Sequence, residues 1–391
     1  MADGSYSPRL RTGVILCGAG TAGAYQAGVL KALTEAGVKI DLLAGHGAGV
    51  MTALCGAIDG GARLWDAAGP WTDPRLGHSY RWRPALRLAA AGLVAAAVIL
   101  AAPLLVLVFA AVMYAASLLV ALANLPDLSA RLVGIYRGAI EALFNPPLLP
   151  TMVPRALVLA LLAVLGVLLT AAVRAVWLER SRRRLSGAFW WRLVGAPLDG
   201  REPAGALVDA LWRLVRGASS APRPVPAEIG RRYVDVLVDN LGQPGFREML
   251  VGVHDLDARR DLVGAVLSAD ARRTFDARRD ALGLREAEVV DLTGSARDLV
   301  VDFLVGAQQL PVASAPHLVQ FPADGYWRGE MHRLCDRPEH NPIGPFDFGG
   351  AYDEASDRRR TVPELIQQGY GDAYRQFVEP IVATGDKVEA L

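Results

Sequence analysis

Two glycine-rich turns are the parts of this sequence whose residue types and spacing could do chemistry. Each follows a short apolar run and precedes a helical pattern. The second turn reads Gly45-His46-Gly47-Ala48-Gly49, and the first reads Gly18-Ala19-Gly20-Thr21-Ala22-Gly23. Backbone N–H groups of a glycine loop at a helix N-terminus can stabilise a developing oxyanion. A G-x-S-x-G turn between a strand and a helix presents a serine nucleophile to such a loop.

The surrounding elements predict that both turns lie at one edge of a sheet. A β-α-β-α order indicates a parallel sheet, and ligands bind at the carboxyl ends of its strands. We predict strands over Gly13–Cys17 and Ile40–Ala44, and helices over Ala24–Ala36 and Val50–Ile58. Further along, the patterns predict helices over 206–216, 228–241, 298–308 and 362–379, and strands over 249–254, 262–267 and 326–331.

The apolar residues of the chain are concentrated in two long runs. The 391 residues are 52% hydrophobic and 21% charged, with a net charge of +1, which excludes a mainly disordered chain and disfavours a nucleic-acid scaffold. No Asp, Glu, Lys, Arg or His occurs in Leu88–Pro126 or in Ala156–Val173. Each run reaches the roughly 18 apolar residues that indicate a membrane span. We therefore predict an integral membrane protein with two spans over 88–123 and 156–178, a third pass being the alternative.

Arginines at the outer flanks of these runs give an orientation. They are more numerous there than in the connecting segment 127–151, where Leu128–Phe144 is an amphipathic stretch that could lie on the membrane surface. The positive-inside rule then predicts that both outer flanks are cytoplasmic. The flanking residues are Arg75, Arg81, Arg83, Arg87, Arg174, Arg180, Arg182, Arg183 and Arg184.

At the two glycine turns the sequence resembles the patatin-like phospholipases. That family pairs a GxGxxG oxyanion loop with a GxSxG elbow about 25 residues later, and a distant Asp-Gly completes a Ser–Asp dyad. Gly18–Gly23 matches the loop, and Gly45, Gly47 and Gly49 match the elbow in spacing. The segments Val251–Asp257 and Ala313–Pro316 are also similar to the family. The resemblance covers about residues 12–66 and 230–370.

The chain departs from this family at its reactive positions. Gly47 stands where the serine is expected, and its neighbour His46 is the only reactive side chain of the elbow. The resemblance places the dyad aspartate at Arg328, or alternatively at Phe348. Arginine cannot accept a proton at neutral pH, so the Ser–Asp mechanism is predicted to be absent.

The resemblance implies an α/β fold, a patatin-like parallel-sheet sandwich interrupted by a transmembrane helical hairpin. The expected divisions are 1–84, 85–185 and 186–391. Both halves of one sheet must share a compartment, which favours two membrane crossings, as in a bacterial inner-membrane protein. The expected partners are membrane lipids, with protein partners or a homo-oligomer as further candidates and no nucleic acid. The widely spaced Cys17, Cys55 and Cys335 and the scattered histidines predict neither a metal nor another cofactor.

Three functions remain open from the sequence. The first is a catalytically degenerate member of the lipid acyl hydrolase family, a pseudoenzyme that binds lipid or scaffolds partners at the cytoplasmic leaflet. The second is an active phospholipase with a non-standard nucleophile. The third is a Rossmann-type nucleotide-binding membrane protein, because GxGxxG after a strand is also the dinucleotide fingerprint.

Overall fold

The computed structural model describes residues 10–18, 20–66, 69–76, 80–179, 196–282, 287–311, 313–337 and 361–379. The chain divides into two compact units, one formed by residues 1–81 and 198–391 and the other by residues 82–197. The sequence-based divisions lay at 84/85 and 185/186.

Strands and helices alternate along the first unit, and the second unit is helical. The described strands are β1 (Gly13–Leu16), β2 (Leu42–His46), β3 (Arg81–Trp82), β4 (Leu198–Asp199), β5 (Glu248–Asp255), β6 (Arg260–Val266), β7 (Ala287–Asp291), β8 (His317–Gln320) and β9 (Met331–Cys335). The described helices are α1 (Ala22–Glu35), α2 (Gly49–Gly56), α3 (Pro84–Leu122), α4 (Pro126–Phe144), α5 (Val153–Glu179), α6 (Arg201–Arg216), α7 (Pro226–Asn240), α8 (Ala269–Leu282), α9 (Val300–Ala307) and α10 (Val362–Ala373).

The central sheet of the first unit is mostly parallel, so the predicted α/β class is confirmed. Its order is β1-β2-β5-β6-β7. The pairs β1–β2, β2–β5 and β6–β7 are parallel, and β5–β6 is antiparallel. Strand β9 pairs with the carboxyl end of β5 and with β8, in both cases antiparallel. The sheet therefore joins strands from before and after residues 82–197.

Apolar side chains from both parts of the first unit form one core. Leu30 of α1, Leu43 of β2 and Leu54 of α2 are fully buried together with Phe303 of α9. Tyr233 of α7 is also fully buried, and its hydroxyl donates to the carbonyl oxygen of Leu54 at 2.8 Å. Residues on either side of the helical unit thus depend on each other for burial.

Helices α1 and α10 approach so closely that their backbones touch. A β-carbon at Gly28 would overlap the carbonyl oxygen of Ile366, and one at Gly369 would overlap the carbonyl oxygen of Tyr25. The hydroxyl of Tyr25 also donates to Asp372 at 3.2 Å. The predicted C-terminal helix is therefore present, and Gly28 and Gly369 allow it to pack closely against α1.

One predicted strand is wrong. Tyr326–Gly329 forms a 3₁₀ turn in which Trp327 and Arg328 have φ values of +53° and +42°, a left-handed conformation that no strand adopts. The strand β9 begins afterwards, at Met331. The predicted strand over 326–331 therefore begins five residues too early.

A buried carboxylate ties this turn to the sheet. Asp255, at the end of β5, is fully buried and accepts hydrogen bonds from the backbone N–H groups of Asp257 at 2.9 Å and Ala258 at 3.1 Å. Its other oxygen lies 2.6 Å from Nδ1 of His332 and accepts from the hydroxyl of Tyr326 at 3.2 Å. One side chain therefore organises the β5–β6 turn and the start of β9.

The second unit contains two helices that are long and apolar enough to cross a membrane, α3 and residues Val153–Arg174 of α5. Their most apolar windows are only 11% and 6% buried, unlike the core helices of a soluble domain. Helix α3 is one continuous helix of 39 residues that passes through Pro103. Its buried residues are Ala89, Ala96, Ala110 and Ser117, spaced at multiples of seven, as helix–helix packing requires.

Helices α4 and α5 return along α3. The hydroxyl of Ser129 in α4 donates to the carbonyl oxygen of Ser117 at 3.0 Å, and the rings of Tyr114 and Tyr136 lie 5.2 Å apart. These two contacts make α4 antiparallel to the end of α3. Gly92, near the start of α3, contacts Val164 in the middle of the apolar run of α5. The amphipathic stretch 128–144 thus packs against α3.

Candidate functional site

The strand–turn–helix at Gly47 has the geometry of an elbow. Strand β2 ends at His46, α2 begins at Gly49, and Gly47 between them has a φ of +57°. A β-carbon at Gly49 would overlap the carbonyl oxygen of Leu16 in β1, and one at Gly45 would lie 2.6 Å from the carbonyl oxygen of Gly49. Each of the three predicted glycines is therefore needed, one for its conformation and two for close contacts.

The glycine loop after β1 meets this elbow through a carbonyl group. Gly18 has a φ of +128°, and its carbonyl oxygen accepts a hydrogen bond from the backbone N–H of Ala48 at 2.6 Å. In a serine elbow, the N–H after the apex is one of the oxyanion donors. Here that donor is already engaged. Gly20 and Thr21 lead into α1, which contains Ala22 and Gly23, and Ala19 lies outside the described residues.

An aspartate that the sequence reasoning missed lies at the apex. A β-carbon at Gly47 would lie 2.7 Å from Oδ2 of Asp336, and it would also overlap the carbonyl oxygen of Gly18. Asp336 follows β9 directly and is 1% exposed. Its backbone N–H donates to Gln309 at 2.8 Å, and its Oδ1 accepts from the N–H of Arg337 at 2.8 Å. The carboxylate is therefore held on the sheet edge beside the elbow.

The two predicted positions for this aspartate do not coincide with it. Arg328 lies in the left-handed turn before β9, eight residues ahead of Asp336, and Phe348 lies outside the described residues. Because β9 starts later than predicted, its carboxyl end places Asp336 at the site. The signal in the sequence was an acid immediately after the short strand Met331–Cys335, which alternates exposed or half-buried residues with buried ones before Cys335.

Buried polar groups surround the apex. His46 is 8% exposed, and its Nδ1 lies 3.5 Å from Oδ1 of Asp336. The side-chain amide of Gln308 donates to the carbonyl oxygen of Gly47 at 2.7 Å, and the hydroxyl of Tyr80 donates to the carbonyl oxygen of Gln308 at 2.8 Å. Sequence reasoning singled out His46 but not Gln308, because a glutamine after a helix carries no recognisable pattern.

The nearby thiols and hydroxyl are poor nucleophiles. Burial, together with the neighbouring Asp336 carboxylate, raises the pKa of Cys335 to about 12. Burial also raises the pKa of Cys55 to about 12. Both thiols are therefore protonated at neutral pH, and the thiolate is the reactive form. The hydroxyl of Thr52 donates to the carbonyl oxygen of Gly23 at 3.2 Å.

Among the described residues, no group of three or more His, Cys, Asp or Glu side chains could hold a metal ion. Pairs of His and Asp do form there, such as His254 with Asp261 and His317 with Asp302.

Comparison with protein-family models, with curated proteins and with solved structures finds no match for this chain. The resemblance to patatin-like proteins is therefore an expectation from the glycine turns of the sequence.

Proposed function

We propose that this chain is a membrane-anchored, patatin-like protein that has lost the hydrolase mechanism and acts by binding lipid or scaffolding partners at the cytoplasmic leaflet. The observation that carries the proposal is the state of the elbow. Its apex is Gly47, Asp336 stands at the place of a dyad acid, and the Gly18 carbonyl fills the space of the missing side chain.

The chemistry of this arrangement argues against turnover. Serine hydrolysis needs a hydroxyl, a base that takes its proton, and free N–H donors for the oxyanion. Asp336 supplies a carboxylate, but Gly47 supplies no hydroxyl, and the N–H of Ala48 already donates to Gly18. The elbow therefore offers an acid without a nucleophile, and the Gly18 carbonyl occupies the space that a side chain at the apex would need.

The sheet supports the proposed insertion of a transmembrane hairpin into a patatin-like domain. Strand β2 comes before the helical unit and pairs with β5, which comes after it. Both must lie in one compartment, so the number of crossings is even. The continuous α3 and the apolar part of α5 supply two. Arg83, Arg87 and Arg174 at their outer ends support a cytoplasmic location for those ends, by the positive-inside rule.

The two alternatives have weaker support. An active hydrolase with His46 as its nucleophile or base is favoured by the 3.5 Å separation of His46 from Asp336. A dinucleotide site needs a carboxylate at the far end of β2 to bind ribose. Asp41 precedes that strand instead, where it accepts from the N–H of Thr12 at 2.9 Å and pairs with Lys39 at 3.0 Å.

A hydrolysis assay tests the loss of mechanism. The full chain, purified in detergent, would be incubated with a fluorogenic acyl ester and with phospholipid vesicles, beside His46→Ala and Asp336→Asn variants. We expect rates equal to those of the buffer for all three proteins. Turnover by the unmodified chain that His46→Ala abolishes would overturn the proposal and establish the second function. Turnover gained by Gly47→Ser and lost again on adding Asp336→Asn would support the patatin-like geometry.

A labelling experiment tests the membrane arrangement independently. In a Cys17→Ser background, single cysteines would replace Asn124, between α3 and α4, and Ser219, after α6. An impermeant maleimide applied to intact cells should label position 124 and leave position 219 unlabelled until the membrane is opened. Equal labelling of both positions in intact cells would contradict a hairpin.

A further inference from the structure

Three arginines meet at the C-terminal end of α6. Arg213 and Arg216 lie in the last turn of this helix, and Arg63 reaches the same place from the 3₁₀ turn Asp59–Leu64. Nη1 of Arg63 donates to the carbonyl oxygens of Arg213 at 2.9 Å and Leu214 at 3.4 Å. Residues three apart on a helix are neighbours on its surface, so three like charges are gathered here. We call these three arginines the α6 arginine cluster.

The buried thiol of Cys55 shows how close two of these charges are. Burial raises the pKa of Cys55 to about 12, and the charges of Arg63 and Arg213 act in the opposite direction. Both guanidinium groups therefore lie near one sulfur atom. Cys55 is in the last turn of α2, the helix that begins beside the elbow at Gly49. The cluster is thus at the other end of that helix from Gly47.

The acidic side chains beside the cluster already bind other arginines. Asp73 pairs with Arg75 at 2.7 Å, and Asp209, one turn before Arg213 in α6, pairs with Arg75 at 2.9 Å and also with Arg223. Hydrogen bonding from Arg75 lowers the pKa of Asp73, and the charge of Arg213 adds to that lowering. Within the described ranges, no ion pair includes a member of the cluster. Its three positive charges are therefore not matched by acids.

Two donors of the cluster are buried without a hydrogen bond. Nη2 of Arg213 and Nε of Arg216 are shielded from solvent and donate to no group in the part of the chain that the structure describes. Buried donors are nearly always satisfied in folded proteins, and an exception points to an ion or other partner. The negative end of the helix dipole favours basic residues in a last turn, but it gives neither donor an acceptor.

The chemistry of these donors suits a phosphate group. A planar guanidinium donates two parallel hydrogen bonds to phosphate oxygens. A phosphate monoester carries about −1.5 to −2 charges at pH 7, which offsets three neighbouring cations better than one carboxylate does. The contacts of Arg63 with α6 use only its Nη1, and its side chain is exposed. A ligand can therefore approach from the side of Arg63.

We propose that the α6 arginine cluster binds a phosphate group, a chemistry that a lipid headgroup and a soluble phosphate ester share. Arg63 contacts the ligand on its solvent side, and Arg213 and Arg216 donate to its oxygens from the protein side. The site shares no residue with the elbow. It depends neither on the loss of the hydrolase mechanism nor on the membrane arrangement.

Chemical modification of arginine tests the site in the full chain. The protein in neutral detergent would react with phenylglyoxal in inorganic phosphate, or in acetate at the same ionic strength, and mass spectrometry would give the rate at each arginine. We expect phosphate to slow modification of Arg63 at least about fivefold relative to acetate, because an occupied site excludes the reagent. Arg375, which is exposed and paired with Asp372, should react equally in both salts. Equal rates at Arg63 in the two salts, or equal slowing at Arg63 and Arg375, would overturn the proposal.

Substitution of Arg213 separates ligand binding from a structural role. Arg213→Gln should weaken the binding of inorganic phosphate, measured by calorimetry, at least about tenfold, while Arg375→Gln retains it. Without phosphate, Arg213→Gln should unfold at the same temperature as the unmodified chain or higher, since it removes one of three like charges. Arg216→Gln repeats the test at the second buried donor. Unchanged phosphate affinity in both cluster variants would contradict the site, as would a loss of stability that is equal with and without phosphate.

Two further samples identify what carries the phosphate. The full chain would be placed in phosphatidylcholine vesicles, with phosphatidic acid added to the lipid or glycerol 3-phosphate added to the solution. Slower modification of Arg63 in the first sample assigns a lipid headgroup, and slower modification in the second assigns a soluble ester. No slowing in either sample would overturn the proposal. The hydrolysis and cysteine-labelling experiments concern other residues, so their outcome does not affect this test.

Discussion

The carboxylate of Asp336 lies 2.7 Å from the point where a β-carbon at Gly47 would stand. The two residues are 289 positions apart in the sequence, yet the sheet brings them to one edge. At the same point, the Gly18 carbonyl occupies the space that a side chain would need. An acid thus lies beside an elbow at which a side chain could be accommodated only if the glycine loop moved.

Alanine at Gly47 should therefore be far more damaging than alanine at a comparable glycine. Gly37 has a φ of +68° and nothing within 4 Å of its would-be β-carbon, so Gly37→Ala carries only the backbone cost, about 1 kcal/mol. Gly47→Ala adds the overlap with Gly18, and we expect about 3 kcal/mol or more. Thermal or denaturant unfolding of both variants in detergent would measure this. Equal losses of stability in the two variants would show that the glycine loop at Gly18 moves away from the apex at little cost.

The close packing of α10 against α1 allows a second comparison between two glycines. Gly28→Ala would push its methyl group into the backbone of Ile366, and overpacking of this kind costs about 1–3 kcal/mol. Gly371, in α10 itself, faces open space. Gly371→Ala should be neutral or stabilising by about 0.5–1 kcal/mol, since alanine favours helix. We therefore expect the two substitutions to change the free energy of unfolding in opposite directions. A loss of stability in Gly371→Ala but not in Gly28→Ala would contradict the contact.

The buried carboxylate of Asp255 should contribute more to the stability of the fold than the carboxylate of Asp257. Asp255→Ala removes the acceptor for two backbone N–H groups and two side chains, and we expect a loss of about 3 kcal/mol or more. Asp257 is partly exposed and pairs with Arg333 at 2.6 Å, so Asp257→Ala should cost about 1 kcal/mol. Limited proteolysis at the β5–β6 turn would report the same order, and a reversed order would refute the role of Asp255.

The two buried thiols predict that the stability of the fold depends on pH. At pH 8 the exposed Cys17 should react quickly with a maleimide, while Cys55 and Cys335 stay protonated and buried. Their pKa is raised in the fold from an ordinary value of 9.0 to about 12. The associated stability is fully present below pH 9.0 and is lost as the pH rises towards about 12. Cys335→Ala should reduce this alkaline loss. Rapid labelling of Cys335 at pH 8 in native protein would contradict the burial.

Sequence patterns were sufficient for the elements with strong local signals. Strands β1 and β2, helices α1 and α2, and the strand pair β5–β6 were predicted because apolar runs and glycines mark their ends. The long α3 was predicted from its lack of charge. These features are local, and the structure adds mainly their order in the sheet.

The features that depend on distant contacts could not be read from the sequence. Asp336 is one acid among 40 acidic residues, and only the register of β9 against β5 brings it to Gly47. The carbonyl of Gly18 is invisible to any residue pattern, because it belongs to the backbone. The turn at Trp327 was not predicted, because the residue types Trp327 and Arg328 give no signal for the positive φ that both adopt.

The pairing of β2 with β5 also fixes an order of events during synthesis. About 200 residues separate the two strands, and at about 5–20 residues per second they emerge about 10–40 s apart. During that interval α3 and α5, the two helices apolar enough to cross a membrane, are synthesised while β2 still lacks its partner strand β5. The helical unit is thus complete before the sheet that it interrupts, and the apolar residues of β1, β2, α1 and α2 wait for β5 before they can be fully buried.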